Sequence, residues 1–232
     1  MNFKRRLLAC ALLLILIAPC FAQNPELEKV LKSMDQQAAT FKNAKADFVW
    51  DQYTKVVNDH DIQQGTIYFR RAGKGELQMA ADIKQPPKNV LFSNGLVKVY
   101  DHVPGGIDQV TEYNAGKNKA EFESFLVLGF GGAGHDLEKS FDVKYAGTEN
   151  VQGVNAVKLE LTPKSQKVRN MFQKIILWID PAKGVSVQQQ FIDPDGNYRL
   201  AKYNNIVLNG NVPDSAFKLN TTSKTTTVRP QG

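Results

Sequence analysis

Apolar residues recur at helical spacing in one long segment of the chain. Leu27, Val30, Leu31, Met34, Ala38 and Phe41 fall on a single stripe. Asn24 in front of Pro25 marks its start, because asparagine caps free amides and proline's fixed φ suits the first helical position. Glu26 and Glu28 place negative charge at the positive end of the helix dipole. The segment predicts a helix packed by one face on a core.

From Lys45 the period changes to two. Ala46, Phe48 and Trp50 alternate with Asp47, Val49 and Asp51. Further on, Ile67, Phe69 and Arg71 share one side of a strand while Tyr68 and Arg70 share the other. Leu77, Met79, Ala81 and Ile83 make another apolar face. Asn94-Gly95, between Val90-Leu91-Phe92 and Leu96-Val97-Lys98-Val99-Tyr100, signals a two-residue hairpin whose central residues both need positive φ. More turns read at Pro104-Gly105-Gly106, Asn150 to Gly153, Pro181 to Gly184 and Asp193 to Asn197. The pattern gives about eleven strands, mostly joined by hairpins.

A helical segment interrupts the strands from Ala120 to Leu128, with Phe122, Phe125, Leu126 and Leu128 on and around one side. The glycine-rich run Gly129 to Gly134 follows and reads as a flexible hinge or lid loop. His135 to Lys139 then suits one more short helix, and the Thr- and Lys-rich tail from Asn220 looks weakly ordered. The fold class is therefore α+β, mostly β, a meandering antiparallel sheet. About eleven twisted strands tend to curl, and a curled sheet that stays open needs helices over its concave face. Such a covered hollow is a natural apolar ligand site.

The first 22 residues change the picture. Lys4-Arg5-Arg6 precede an apolar run from Leu7 to Ala18, too short to span a bilayer, and small residues at Cys20 and Ala22 suit cleavage before Gln23. Residues 1–22 are expected to be a signal peptide and 23–232 a single domain, exported to the periplasm. Lipid attachment at Cys20 is the alternative, and would anchor the domain. Both cysteines, Cys10 and Cys20, lie in this segment, so the mature domain has no disulfide and no thiolate metal site. Of the net charge of +6, three units leave with Lys4, Arg5 and Arg6. The rest is interleaved with acids, and no basic cluster suits nucleic acid.

Candidate chemistry is sparse. Gly129, Gly131 and Gly134 match G-x-G-x-x-G, but a helical segment precedes them and antiparallel hairpins surround them, where a dinucleotide site needs a strand in front and a parallel βαβ context. His60, His102 and His135 are far apart in sequence and have no zinc-site spacing. Gly184 to Gln188 is not a hydrolase elbow, and Asp193 with Asp195 lacks the glutamate of a calcium loop. The pairs Asp59/Asp61 and Glu121/Glu123 suit solvated carboxylates. The expectation is a binding protein, not an enzyme, with no cofactor and no metal. Arg71, at the end of an apolar row, either snorkels at the rim or faces the hollow with hydrogen-bond partners.

Gln64-Gly65-Thr66-Ile67-Tyr68-Phe69-Arg70-Arg71 resembles an element of the periplasmic lipoprotein carriers, the LolA-like family. Val90 to Asp101 is similar to a second such element, and Ile175 to Asp180, Gly184 and Gln190-Phe191 follow the family's general course. Ala72 stands where the family usually has proline, and Gly73 to Leu77 lacks an aromatic often found there. The resemblance implies an incomplete, half-open antiparallel barrel with a helical lid. It implies an apolar cavity for the acyl chains of lipid-modified proteins, and a lid held shut by Arg71. The expected wall is Phe48, Trp50, Phe69, Leu77, Met79 and Phe92, with Phe122, Phe125 and Leu126 from the lid. The implied partners are lipoproteins, an inner-membrane release complex and an outer-membrane acceptor, and the expected state is a monomer. A lipid- or lipoprotein-sensing module on the same fold is the alternative function.

Overall fold

The computed structural model describes residues 24–73, 76–114, 125 and 128–230. The signal segment, Glu121, Glu123, Phe122 and Leu126 lie outside the described residues. Helix α1 spans Pro25–Thr40 and starts where its cap requires: the Asn24 side chain accepts the Glu26 amide at 2.9 Å. The strands are β1 (Asn43–Thr54), β2 (Asp59–Arg71), β3 (Leu77–Lys84), β4 (Pro87–Ser93), β5 (Leu96–Asp101) and β6 (Gln109–Asn114). Helix α2 (Gly134–Ser140) leads to β7 (Phe141–Val151) and β8 (Val154–Pro163), and the short α3 (Gln166–Arg169) leads to β9 (Lys174–Asp180). Strands β10 (Val185–Ile192) and β11 (Tyr198–Leu208), a 3-10 turn (Asp214–Phe217) and β12 (Thr226–Val228) complete the chain.

Among the described residues twelve strands form one sheet in the order β12-β6-β5-β4-β3-β2-β1-β11-β10-β9-β8-β7. The two edge strands, β12 and β7, do not pair with each other, so the barrel stays open. Every pairing is antiparallel except β12 on β6. That twelfth strand corrects the expectation of a weakly ordered tail. β6 would otherwise be a bare edge, and the β-branched run at Thr226 supplies a partner for it. The Thr226 amide reaches the Asp108 carbonyl at 3.0 Å, and Arg229 bonds Glu112 at 2.7 Å.

The predicted hairpins form for the predicted reason. Asn94 and Gly95 take φ of 52° and 74°, and Gln152 and Gly153 take 51° and 85°. Strand β9 is buried along nearly its whole length, on both faces. Ile175, Leu177 and Ile179 meet Leu27, Val30, Leu31 and Met34 of α1, while Ile176 and Trp178 pack with Val151, Ala156 and Val187 on the other side. Helix α1 therefore covers the inner face over β8 and β9. It leaves the inner face of β1 to β5, β10 and β11 to be covered by something else.

Glycine-rich residues 129–134 are a strap, which corrects the reading of a flexible hinge. Gly129 and Gly131 take φ of 80° and 79°, positions where other residues are strained. A Cβ on Gly131 would lie 2.5 Å from the Phe41 ring, and one on Gly134 would enter the α1 backbone at Leu31. Between them the chain is tied on both sides. The Ser186 amide donates to the Gly129 carbonyl at 2.9 Å, Gln189 Nε2 donates to the Leu128 carbonyl, and Arg71 Nη2 donates to the Gly131 carbonyl at 2.6 Å. Phe130 is 1% exposed, stacked on Phe69 at 4.9 Å and edge-on to Tyr203 at 4.9 Å.

The strap ends in a charged clasp between α1 and α2. His135 meets Asp35 through Nδ1 and Glu28 through Nε2 at 3.2 Å, and its amide donates to Asp35 Oδ1 at 3.1 Å. Hydrogen bonding to Asp35, and then to Glu28, raises the imidazole pKa above its ordinary 6.5. Burial opposes the charge on Asp35, but His135 outweighs it and holds that carboxyl low; Lys32 and then His135 hold Glu28 low. The remaining charges on α2 are Asp136, Glu138 and Lys139, with Lys139 paired to Asp136. A raised folded-state pKa means that His135's share of stability is complete below about pH 6.5 and fades as pH rises through the folded value. The carboxylates' share is present above their unfolded values near 4 and fades below them. Melting temperature should therefore separate wild type from His135→Gln most at pH 5–6 and least above pH 8. A gap that widens with pH would contradict the clasp.

Candidate functional site

The uncovered inner face holds a cavity of about 930 Å³. Its apolar part is built by alternation: half-exposed Trp50 from β1, Ile67 and Phe69 from β2, Met79 from β3, Val90 from β4 and Val97 from β5. Ala201 and Tyr203 of β11 and Phe191 of β10 continue the wall, because the ladder places Ala201 opposite both Trp50 and Gln189. Phe125, Met171 and Phe172 close it from above. Phe125 meets Phe172 edge-on at 5.6 Å, and Phe172 meets Phe191 at 5.2 Å. Phe172 is held there by the turn after α3, where its amide donates to the Val168 carbonyl at 2.8 Å and Val168 is buried. The other end of the cavity is polar: Gln52, Thr54, Lys167, Asp193, Asn197 and Arg199.

One polar chain crosses the apolar floor. The Tyr203 hydroxyl donates to Gln189 Oε1 at 3.2 Å, and Gln189 passes a donor on to the Leu128 carbonyl. Burial raises the Tyr203 pKa, so the phenol stays neutral at any physiological pH. The network satisfies its buried groups and ties the strap to the floor.

Trp50, Phe69, Met79 and Phe125 of the expected wall stand on the cavity. Phe48, Leu77 and Phe92 do not: they are 5%, 4% and 1% exposed, closed over as core and not open as wall. Arg71 is not on the wall either. It sits exposed at the rim, its guanidinium 5.9 Å from the Phe41 ring and bonded to the strap at Gly131. Its neighbour Arg70 turns the other way, to Gln78 at 2.7 Å, Asp214 and the Phe217 ring at 4.0 Å. Sequence reasoning missed Phe191, Met171, Phe172 and Gln189. The period of two carries the signal for Gln189, which shares a face with Phe191, but a Gln188-Gln189-Gln190 run reads as solvent-facing.

The candidate chemistry elsewhere is dispersed. His60 bonds Asp51 at 2.8 Å beside Tyr53 and Tyr198, and His102 lies against Tyr100 with Asn89 at 3.3 Å, so the three histidines occupy three separate networks. Asp193 Oδ1 accepts the Asp195 and Asn197 amides at 3.0 and 2.9 Å, as a turn residue does. A smaller hollow of about 480 Å³ beside Asp47, Gln64, Lys84 and Asn205 is polar, at the point where the β1–β11 register shifts. The Asn205 amide is the first of the groups that hold the Asp47 carboxyl low.

Among solved structures, MucB is 11% identical with a TM-score of 0.54; the match covers 87% of this chain and spans 64% of the MucB chain. An uncharacterised conserved protein of Thermus thermophilus is 12% identical with a TM-score of 0.53, covering 88% of this chain and 99% of its own. The lipoprotein LppX of Mycobacterium tuberculosis is 12% identical at a TM-score of 0.48, covering 82% and 99%. The first two show the same fold. No curated protein matches the sequence closely enough to serve as a relative. The family described as outer membrane lipoprotein carrier protein LolA matches residues 39–220, from the end of α1 to beyond the 3-10 turn. With that match over most of its length and an open, half-covered antiparallel barrel, the chain belongs to the LolA family.

Proposed function

We propose that the protein is a non-enzymatic carrier that holds the acyl chains of lipid-modified proteins in this cavity and takes them across the periplasm to the outer membrane. The observation that supports it most is the apolar wall of Trp50, Phe69, Met79, Val90, Phe125 and Phe191 around about 930 Å³ of space. Each buried methylene of an acyl chain contributes about 0.8 kcal/mol, so a chain is held without any reacting group. The family's description supports a lipoprotein as cargo; a release complex in the inner membrane and an acceptor in the outer are the partners this reading requires. The test is release of a labelled lipoprotein from spheroplasts into solution by the added purified protein. The acylated form should leave with the carrier and a form lacking acyl chains should not; equal release of both would overturn the reading.

We propose that Arg71 influences release at the rim, while the strap itself stays packed in the core. The Arg71 bond to the Gly131 carbonyl holds the strap against the rim of β2. A hydrogen bond from a charged donor contributes about 1.5–3 kcal/mol, and the exposure of Arg71 places it near the lower end. Arg71→Leu removes the latch and adds apolar surface. The variant should bind lipoprotein at least as tightly and hand it to acceptor membranes several-fold more slowly, with the fold intact. Equal transfer rates would reduce Arg71 to a solvated rim residue.

A further inference from the structure

We infer that the preferred ligand of the cavity carries an anionic group next to its acyl chain, and that Arg199 receives that group. The inference rests on the reading of the apolar part as an acyl site. Polarity rises along the inner face of two neighbouring strands at once. On β1 it runs from Phe48 and Trp50 to Gln52 and Thr54, and on β11 from Tyr203 and Ala201 to Arg199. Arg199 lies two residues beyond Ala201, about 6.6 Å further along the strand, where the apolar wall gives way. Its ladder partners are Phe191 on one side and Gln52 on the other, neither of which can neutralise it.

Among the described residues, Arg199 is the arginine without a partner. Arg70 has Gln78 and Asp214; Arg71 has Gly131; Arg169 bonds the Pro163 and Lys164 carbonyls; Arg229 has Glu112. Among the described residues no acid is bonded to Arg199, although Asp193 lines the same end of the cavity and Asp59 and Asp61 lie across the ladder from Thr54 and Gln52. Asp193 accepts the amides of its own turn and the Asn197 side chain at 2.8 Å, Asp51 meets His60, and Asp61 accepts from Gln63 at 2.8 Å. A planar guanidinium at the end of an apolar hollow matches a carboxylate or a phosphate two-pronged, while the attached chain lies along Trp50 and Ala201. The ligand class is an anionic single-chain amphiphile, or a lipid that presents the same group beside its chains.

Trp50 lines the cavity and Trp178 is buried on the outer face, so a change in Trp50 emission reports filling directly. Palmitate, palmitoyl-lysophosphatidylglycerol and neutral monopalmitoylglycerol are titrated into wild type, Arg199→Gln and Arg199→Lys at low salt. Wild type should bind both anions on the order of five- to tenfold tighter than the neutral ligand, with the margin shrinking as salt is added. Arg199→Gln should lose that margin, and Arg199→Lys should keep part of it. A loss confined to one anion names carboxylate or phosphate as the natural group. If Arg199→Gln binds all three ligands as wild type does, the inference fails while the acyl cavity stands. If wild type binds none of them, the acyl reading fails and takes this inference with it.

Discussion

Phe130→Ala should lower the unfolding free energy by about 3–5 kcal/mol, the range for emptying a fully buried aromatic site. Phe130 is 1% exposed and sits where three parts of the molecule meet. It lies nearly parallel to Phe69 of β2, with 13° between the rings, and edge-on to Tyr203 of β11 at 83°. The bonds on either side, at Leu128, Gly129 and Gly131, leave the backbone little freedom to settle into the void. The measurement is chemical denaturation of both proteins, with the midpoint moving and the slope unchanged. A loss below about 1 kcal/mol would mean that the glycine-rich segment hangs loosely on the barrel, as a hinge would, and that the strap is not part of the core.

Val90→Trp should weaken acyl binding about a hundredfold while leaving the fold in place. Val90 is half-buried on β4 and lines the cavity in its apolar part, opposite Ala81 of β3. An indole there occupies the volume of several methylenes. Excluding three or four of them forfeits about 3 kcal/mol of burial at about 0.8 kcal/mol each. Because the new ring fills existing space, stability should hold or rise, which separates the result from simple unfolding. The readout is displacement of a fluorescent fatty acid together with the melting temperature. Unchanged affinity with a normal melt would place the acyl chain outside this cavity.

The parts of the fold that depend on near neighbours in sequence were the legible ones. A two-residue Asn-Gly turn carries its own geometry, and Asn94 and Gly95 adopt it. The cap at Asn24 needs only Glu26. The strap is not legible in the sequence because glycine has two uses, freedom and close approach, and which applies depends on distant partners. Arg71 and Gln189 lie 60 and 61 residues from the carbonyls they bind. Alternation placed Trp50, Phe69 and Met79 on the right face, yet it placed Phe48, Leu77 and Phe92 there too. A period of two tells face from face, but it does not tell an open wall from a closed core. Phe172 and Met171 escaped because α3 is four residues long, too short for any periodic signal. The partner for β6 escaped because a Thr-rich tail is polar by composition, whatever edge waits for it.

Native mass spectrometry of the protein isolated gently from the cell envelope tests most directly whether acyl chains occupy the cavity. Wild type should carry added mass that matches a lipid or an acylated protein, released on activation in the gas phase. Val90→Trp, isolated in parallel, should arrive bare. A bare wild-type protein that also takes up no acylated peptide when one is offered at micromolar concentration would contradict the account.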